Sequence, residues 1–164
     1  MKMLKISILA VFLLAGLAAC AGKYSGGGWI LSDLQDGGKA NFGFIADSCD
    51  VVWDDGIGTF DGVFNYHDKS LRPAVKMHGD VVWAQECGPF CAIDDCDYII
   101  NVDYRSTNPK ARGEGSAIVC LFDGGEGSKA VAPDHIGIFV SSGPFEGYYN
   151  EGEVKGNIKN HGCN

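Results

Sequence analysis

Apolar and polar positions change rhythm once along this chain. Residues 6–17 are almost continuously apolar, whereas from Trp29 onward apolar residues alternate with polar ones at a period of two. Trp29, Ile30 and Leu31 open the series as a short strand. Phe42, Phe44 and Ala46 share one face of the next, and Phe60, Phe64 and Tyr66 share a face over residues 59–67. A turn at residues 68–73 leads into residues 74–83, with Val75, Met77, Gly79 and Val81 on one side and Lys76, His78 and Asp80 on the other. That is hairpin patterning. The clearest strand follows, where Tyr98, Ile100, Val102 and Tyr104 alternate with Ile99, Asn101, Asp103 and Arg105. Residues 116–122 are apolar on both faces and predict a central strand. Residues 136–140, 145–149 and 154–158 complete the extended runs. Glycine-rich and Asp-rich turns separate the runs at roughly 8–12-residue spacing, and no amphipathic helix of useful length appears after residue 20. The pattern predicts an all-β fold: an antiparallel β-sandwich, or a barrel-like sandwich, of short strands.

The continuous apolar run has a different meaning. Lys2 and Lys5 precede it, Leu17-Ala18-Ala19-Cys20 closes it with small residues before a cysteine, and it is too short to span a bilayer comfortably. Its end resembles the lipobox of bacterial lipoproteins, which implies acylation of the Cys20 thiol and a cut just before it. Residues 1–19 are then a lipoprotein signal peptide, residues 20–25 the lipidated cysteine and a tether, and residues 26–164 a single β-domain. The expected location is the bacterial cell envelope, lipid-anchored, at the outer membrane where there is one, because Ala21 is not the Asp of inner-membrane retention.

Removing Lys2 and Lys5 leaves 11 basic residues against 21 acidic ones, a formal charge of -10. Nucleic acid is a poor partner for such a domain, and anionic lipid would repel it, so the membrane is reached through the lipid anchor. Of seven cysteines, Cys20 is assigned to lipid. The remaining six, Cys49, Cys87, Cys91, Cys96, Cys120 and Cys163, are the disulfide candidates of an oxidising compartment, with connectivity left open. A zinc site on Cys87, Cys91 and Cys96 is the rival, with loose spacing and no fourth ligand in sight.

No cofactor, metal or catalytic motif stands out. His67 and His78 fall on one hairpin, with an expected offset of several residue pairs, too far for a shared ligand. His135 and His161 read as loop residues. The loop from Asp123 to Lys129 has glycines but neither the order of a phosphate cradle nor a following helix. The acidic sets Asp54-Asp55, Asp94-Asp95-Asp97 and Asp123 with Glu126 match no calcium-binding loop. Arg105, Lys110 and Arg112 form the basic cluster, and Tyr148 and Tyr149 are an aromatic pair that either offers a flat contact or packs on the sandwich; these five are the candidate contact residues for an envelope protein or glycan. An echo between residues 60–65 and 145–150, in the pattern Phe, acid, Gly, any, aromatic, Asn, raises a duplicated strand against coincidence.

Gly26-Gly27-Gly28-Trp29-Ile30, then Gly37-Gly38-Lys39-Ala40-Asn41-Phe42-Gly43-Phe44, Tyr66 and Lys76-Met77-His78-Gly79, resemble the post-COAP type of β-domain of bacterial exported and surface proteins. The resemblance implies an extracellular β fold and carries no activity or catalytic residue. The six cysteines and the lipoprotein setting depart from it. The expected function is that of a non-catalytic, membrane-tethered envelope lipoprotein serving surface interaction or structure. A periplasmic inhibitor of a hydrolase and a glycan-directed hydrolase are the alternatives.

Overall fold

The computed structural model describes residues 22–32, 37–54, 57–87 and 96–163. Among these, nine strands form one antiparallel sheet: β1 (Lys23–Leu31), β2 (Lys39–Asp54), β3 (Ile57–Asp68), β4 (Val75–Glu86), β5 (Tyr98–Ser106), β6 (Glu114–Phe122), β7 (His135–Val140), β8 (Tyr149–Glu153) and β9 (Lys155–Asn160). Each strand from β1 to β8 pairs with the next in the chain, and β9 returns to lie beside β1. Only Val154 separates β8, which pairs with β7, from β9, which pairs with β1. One last extended segment therefore reaches both edges of the sheet and nearly closes it into a barrel. Of the two all-β architectures expected, the barrel-like one forms.

Alternation decides which side chains fill the interior. Phe64, Tyr98, Ile100, Val102, Val119, Leu121, Ile136 and Ile138 all point inward and are fully buried. A barrel of about eight strands is just wide enough for such side chains to fill it. Residues 116–122 differ in one respect from the expectation of burial on both faces. Ala117, Val119 and Leu121 are buried inside, but Ile118, Cys120 and Phe122 lie half-buried on the outer wall, which no second layer covers among the described residues.

Residues 23–25, expected in the tether, are the first residues of β1. Tyr24 pairs with Ala46 and Asn160, and the glycines that looked like linker continue the strand. At Gly26 the neighbours come too close for a side chain: a Cβ there would stand 2.8 Å from both the Asn157 carbonyl oxygen and the Phe44 ring. Residues 145–148, expected in a strand, form a turn instead. Gly143 and Gly147 adopt positive φ there, and Phe145 and Tyr148 tuck into the barrel mouth. The echo between residues 60–65 and 145–150 thus joins a strand to a turn, not two equivalent strands.

The two ends of the barrel differ. Gly22 sits buried at one, its amide donating to Ser48 Oγ at 2.9 Å and its carbonyl accepting the Tyr98 hydroxyl at 3.0 Å. The Cys49–Cys163 and Cys96–Cys120 disulfides lie at this Gly22 end, and so does Cys87, which is also disulfide-bonded. Cys91 and Cys20 fall outside the described residues. The β3–β4, β5–β6 and β7–β8 connections lie at the opposite end.

Candidate functional site

At the opposite end a buried polar network is built around Asp68, the last residue of β3, which is fully buried. Its Oδ2 accepts the Ser32 hydroxyl at 2.7 Å and the Tyr148 hydroxyl at 2.9 Å, and its Oδ1 accepts the Ser70 amide at 2.8 Å. Tyr148 and Tyr66 hydroxyls lie 2.6 Å apart, and the Asn150 side-chain amide donates to Tyr66 at 2.9 Å. Burial alone would raise the Asp68 pKa. The hydrogen bonds from Ser32, Ser70 and Tyr148 outweigh it and hold the carboxyl below the usual aspartate range. Burial pushes the Tyr148 hydroxyl up, as do its neighbours Tyr66 and Asp68, so the phenol stays protonated and donates. This carboxylate is saturated by structural donors. The network was illegible in the sequence, since its members come from three separate stretches.

Arg105 near the end of β5 and Arg112 in the β5–β6 loop line one shallow surface pocket, and Lys110 lies in the same loop, at the barrel end that holds this network. Their loop is locked by its own side chains: Asn108 Oδ1 accepts the Lys110 amide at 2.9 Å, and the Ser106 amide donates to the Gly113 carbonyl at 2.9 Å. It is also fastened to the neighbouring β3–β4 connection. Asn108 Nδ2 donates to the Ala74 carbonyl at 2.6 Å, and the Thr107 amide to that of Lys76 at 3.1 Å. Lys69 and Arg72 lie on that connection, and Lys76 near the start of β4 shares a surface hollow with Thr107 of the loop. Among the described residues, the ion pairs are Lys23–Asp47, Lys155–Glu153 and Lys159–Glu126, so none neutralises these six cations. Glu114 stands opposite Arg105 in register without pairing to it.

The two tyrosines expected to act together part company. Tyr148 is buried in the Asp68 network, and only Tyr149 is exposed. Tyr149 lies in β8, three strands from Arg105, beside Phe139 and over an outer-wall groove lined by Ile118, Phe122, Gly137 and Glu151.

The acidic loop before β7 is at the Gly22 end, away from the basic loops. Asp134 Oδ2 accepts the Ile158 amide at 2.6 Å and Asp123 Oδ2 the Asn160 amide at 2.8 Å, so these carboxylates cover the outer edge of β9. Lys159 and Asn157 hold Glu126 below its usual range. Among the described residues no group of three or more His, Cys, Asp or Glu is placed to hold a metal ion. Asp55, Asp94 and Asp95 fall outside them, as does the side chain of Asp54.

Register corrects the histidines. His67 pairs with Lys76 and Asn65 with His78, so the imidazoles are diagonal neighbours two pairs apart on the outer wall, closer than expected. His78 Nδ1 is 2.7 Å from Asn65 Oδ1, whereas His67 Nε2 is buried with no hydrogen-bond partner. Burial pushes the His67 pKa down, and the charges of Lys76 and Lys69 add to this. His135 begins β7 instead of lying in a loop, and His161 Nε2 meets Ser25 Oγ at 2.8 Å.

Comparison with protein-family models, curated proteins and solved structures finds no match to this chain.

Proposed function

We propose that the chain is a non-catalytic, lipid-tethered lipoprotein of the bacterial cell envelope, its barrel serving as a surface interaction or structural module. In this reading residues 1–19 are the removed signal, Cys20 carries the lipid, and the anchor supplies the membrane contact. The observation that carries the reading is the seating of Gly22. Cys20 stands two residues before it, a reach of about 7 Å, so a lipid there holds the disulfide-reinforced end of the barrel at the membrane. Only Ala21 lies between Cys20 and Gly22 in the sequence, so in this reading the opposite end is displayed outward.

The non-catalytic part of the proposal rests on how the polar groups are used. Asp68 is surrounded by fixed donors, while Asp123 and Asp134 accept backbone amides. Catalysis asks for an acid, base or nucleophile free to meet substrate.

Cell fractionation with mass spectrometry of the amino-terminal peptide tests the anchor. A diacylated or triacylated Cys20 is expected, with release or misprocessing of the Cys20→Ala protein; an unacylated Cys20 in the wild type ends the lipoprotein reading. Purified protein is then offered peptidoglycan, polysaccharide and ester substrates. Turnover lost on replacing one acid or histidine would make it an enzyme, and stoichiometric capture of a hydrolase with loss of that hydrolase's activity would make it an inhibitor.

A further inference from the structure

The outer wall carries a polar trough that cross-strand register builds from five stretches of sequence. Trp29, Asn41, His67 and Lys76 are successive neighbours on the outward face of β1 to β4. One pleat nearer the Gly22 end, Gly27, Gly43, Asn65, His78 and Arg105 form the next row. Gly43 leaves the floor open, since a Cβ there would have nothing nearer than 4.0 Å. The result is a side-chain-free floor, rimmed by amides, imidazoles and cations, with the basic loops at its side.

Two features of the trough and the loops beside it lack a protein partner. The exposed Asn41 amide forms no hydrogen bond among the described residues. Lys76, Arg105 and Arg112 have no ion-pair partner among them, in a domain whose formal charge is -10. Amides and imidazoles offer both donors and acceptors, as a hydroxyl-rich ligand requires, and guanidinium groups match carboxylates. The cations are spread over strands about 4.8 Å apart and over two loops, so they suit a chain of charges better than one small anion. The loops are already fixed by Asn108, which lowers the ordering cost of binding.

We propose that this trough, together with the basic loops beside it, binds an anionic polysaccharide, sugar hydroxyls meeting Asn41 and Asn65 and carboxylates meeting Lys76, Arg105 and Arg112. The assignment rests on the reading of the barrel as a displayed interaction module. It places the glycan at the end away from Gly22, out of reach of the lipid surface.

The test uses the full-length protein in mild detergent, with alginate as the probe, neutral dextran and poly-glutamate as comparators, and affinity electrophoresis as the readout. Alginate is expected to retard the protein, dextran and poly-glutamate much less. The Lys76→Glu/Arg105→Glu protein should bind at least about tenfold more weakly, the loss of charge-assisted contacts. Asn41→Ala, a change at an exposed position that leaves folding alone, should weaken binding several-fold, and Lys129→Glu at the Gly22 end should not. Absence of alginate binding, equal retardation by poly-glutamate, or equal weakening by Lys129→Glu overturns the proposal. So does capture by anionic vesicles that depends on Lys76 and Arg105. Repeating the measurement on the Cys20→Ala protein separates the two readings: retained alginate binding without acylation leaves the trough standing whatever becomes of the anchor.

Discussion

Tyr148 donates its hydroxyl hydrogen to Oδ2 of Asp68 across 2.9 Å, although the two residues stand 80 positions apart. The bond ties the β7–β8 turn to the end of β3 and helps keep a buried carboxylate ionised. Because the Asp68 pKa is depressed in the fold, its contribution is fully present above the unfolded value of about 3.9 and is lost as pH falls through the native one. Asp68→Asn is expected to cost about 2–3 kcal/mol at neutral pH and to flatten the loss of stability below about pH 4. Urea unfolding at pH 7 and pH 3 measures both. An unchanged acid limb would show that Asp68 is not the group responsible.

This pair also marks where sequence reading stops. Period-two alternation grouped Val75, Met77, Gly79 and Val81, and Tyr98, Ile100, Val102 and Tyr104, on single faces correctly, because side-chain direction in an unbroken strand is fixed by parity; it fails after Val81, where a register shift leaves Trp83 exposed. It misread residues 145–149, where Phe145 and Tyr148 are buried by a turn about Gly147 and not by a strand face. Register is a further step removed. How close His67 comes to His78 depends on where the turn at residues 69–74 places the pairing, and no local pattern states that. The buried donors around Asp68 and the union of two basic loops through Asn108 depend on contacts between distant stretches, so neither had a local signal.

Two strand glycines should respond oppositely to a methyl group. An added Cβ at Gly79, on the inner face, would stand 2.5 Å from the Asp103 carbonyl oxygen and 2.6 Å from Val102 Cγ1. Gly79→Ala therefore forces β4 away from β5 and is expected to cost about 1–3 kcal/mol. Gly43→Ala points outward into open space and should stay within about 1 kcal/mol of the wild type. Thermal unfolding of the two proteins side by side decides it, and equal destabilisation would be the contrary result.

The two described disulfides should differ in worth. Cys49–Cys163 closes a separation of 114 residues and Cys96–Cys120 one of 24. Chain entropy alone assigns them about 5 and about 3.5 kcal/mol, so the longer closure is expected to matter more. Paired Cys→Ser replacements, compared by denaturant midpoint, test the order. Thiol counting on the folded wild type should find neither pair reactive, and a reversed order would point to strain or residual structure outweighing loop closure.

Asp134 supplies the last test, because it replaces a neighbouring strand at the edge of β9. Its Oδ2 takes the Ile158 amide at 2.6 Å and its Oδ1 the Gly124 amide at 3.0 Å, binding the acidic loop to the segment that closes the barrel. Ile158 is itself fully buried, so its amide has little access to water once that acceptor is gone. Asp134→Ala is expected to cost about 1–3 kcal/mol, the range for a buried donor left unmet. Asp134→Asn keeps one carbonyl oxygen and should recover part of the loss. Amide exchange gives the sharper reading: the Ile158 proton should exchange much faster in the Asp134→Ala protein, while amides of β3 and β5 keep their protection. Uniform acceleration across the barrel would mean that Asp134 acts on global stability and does not cover this edge.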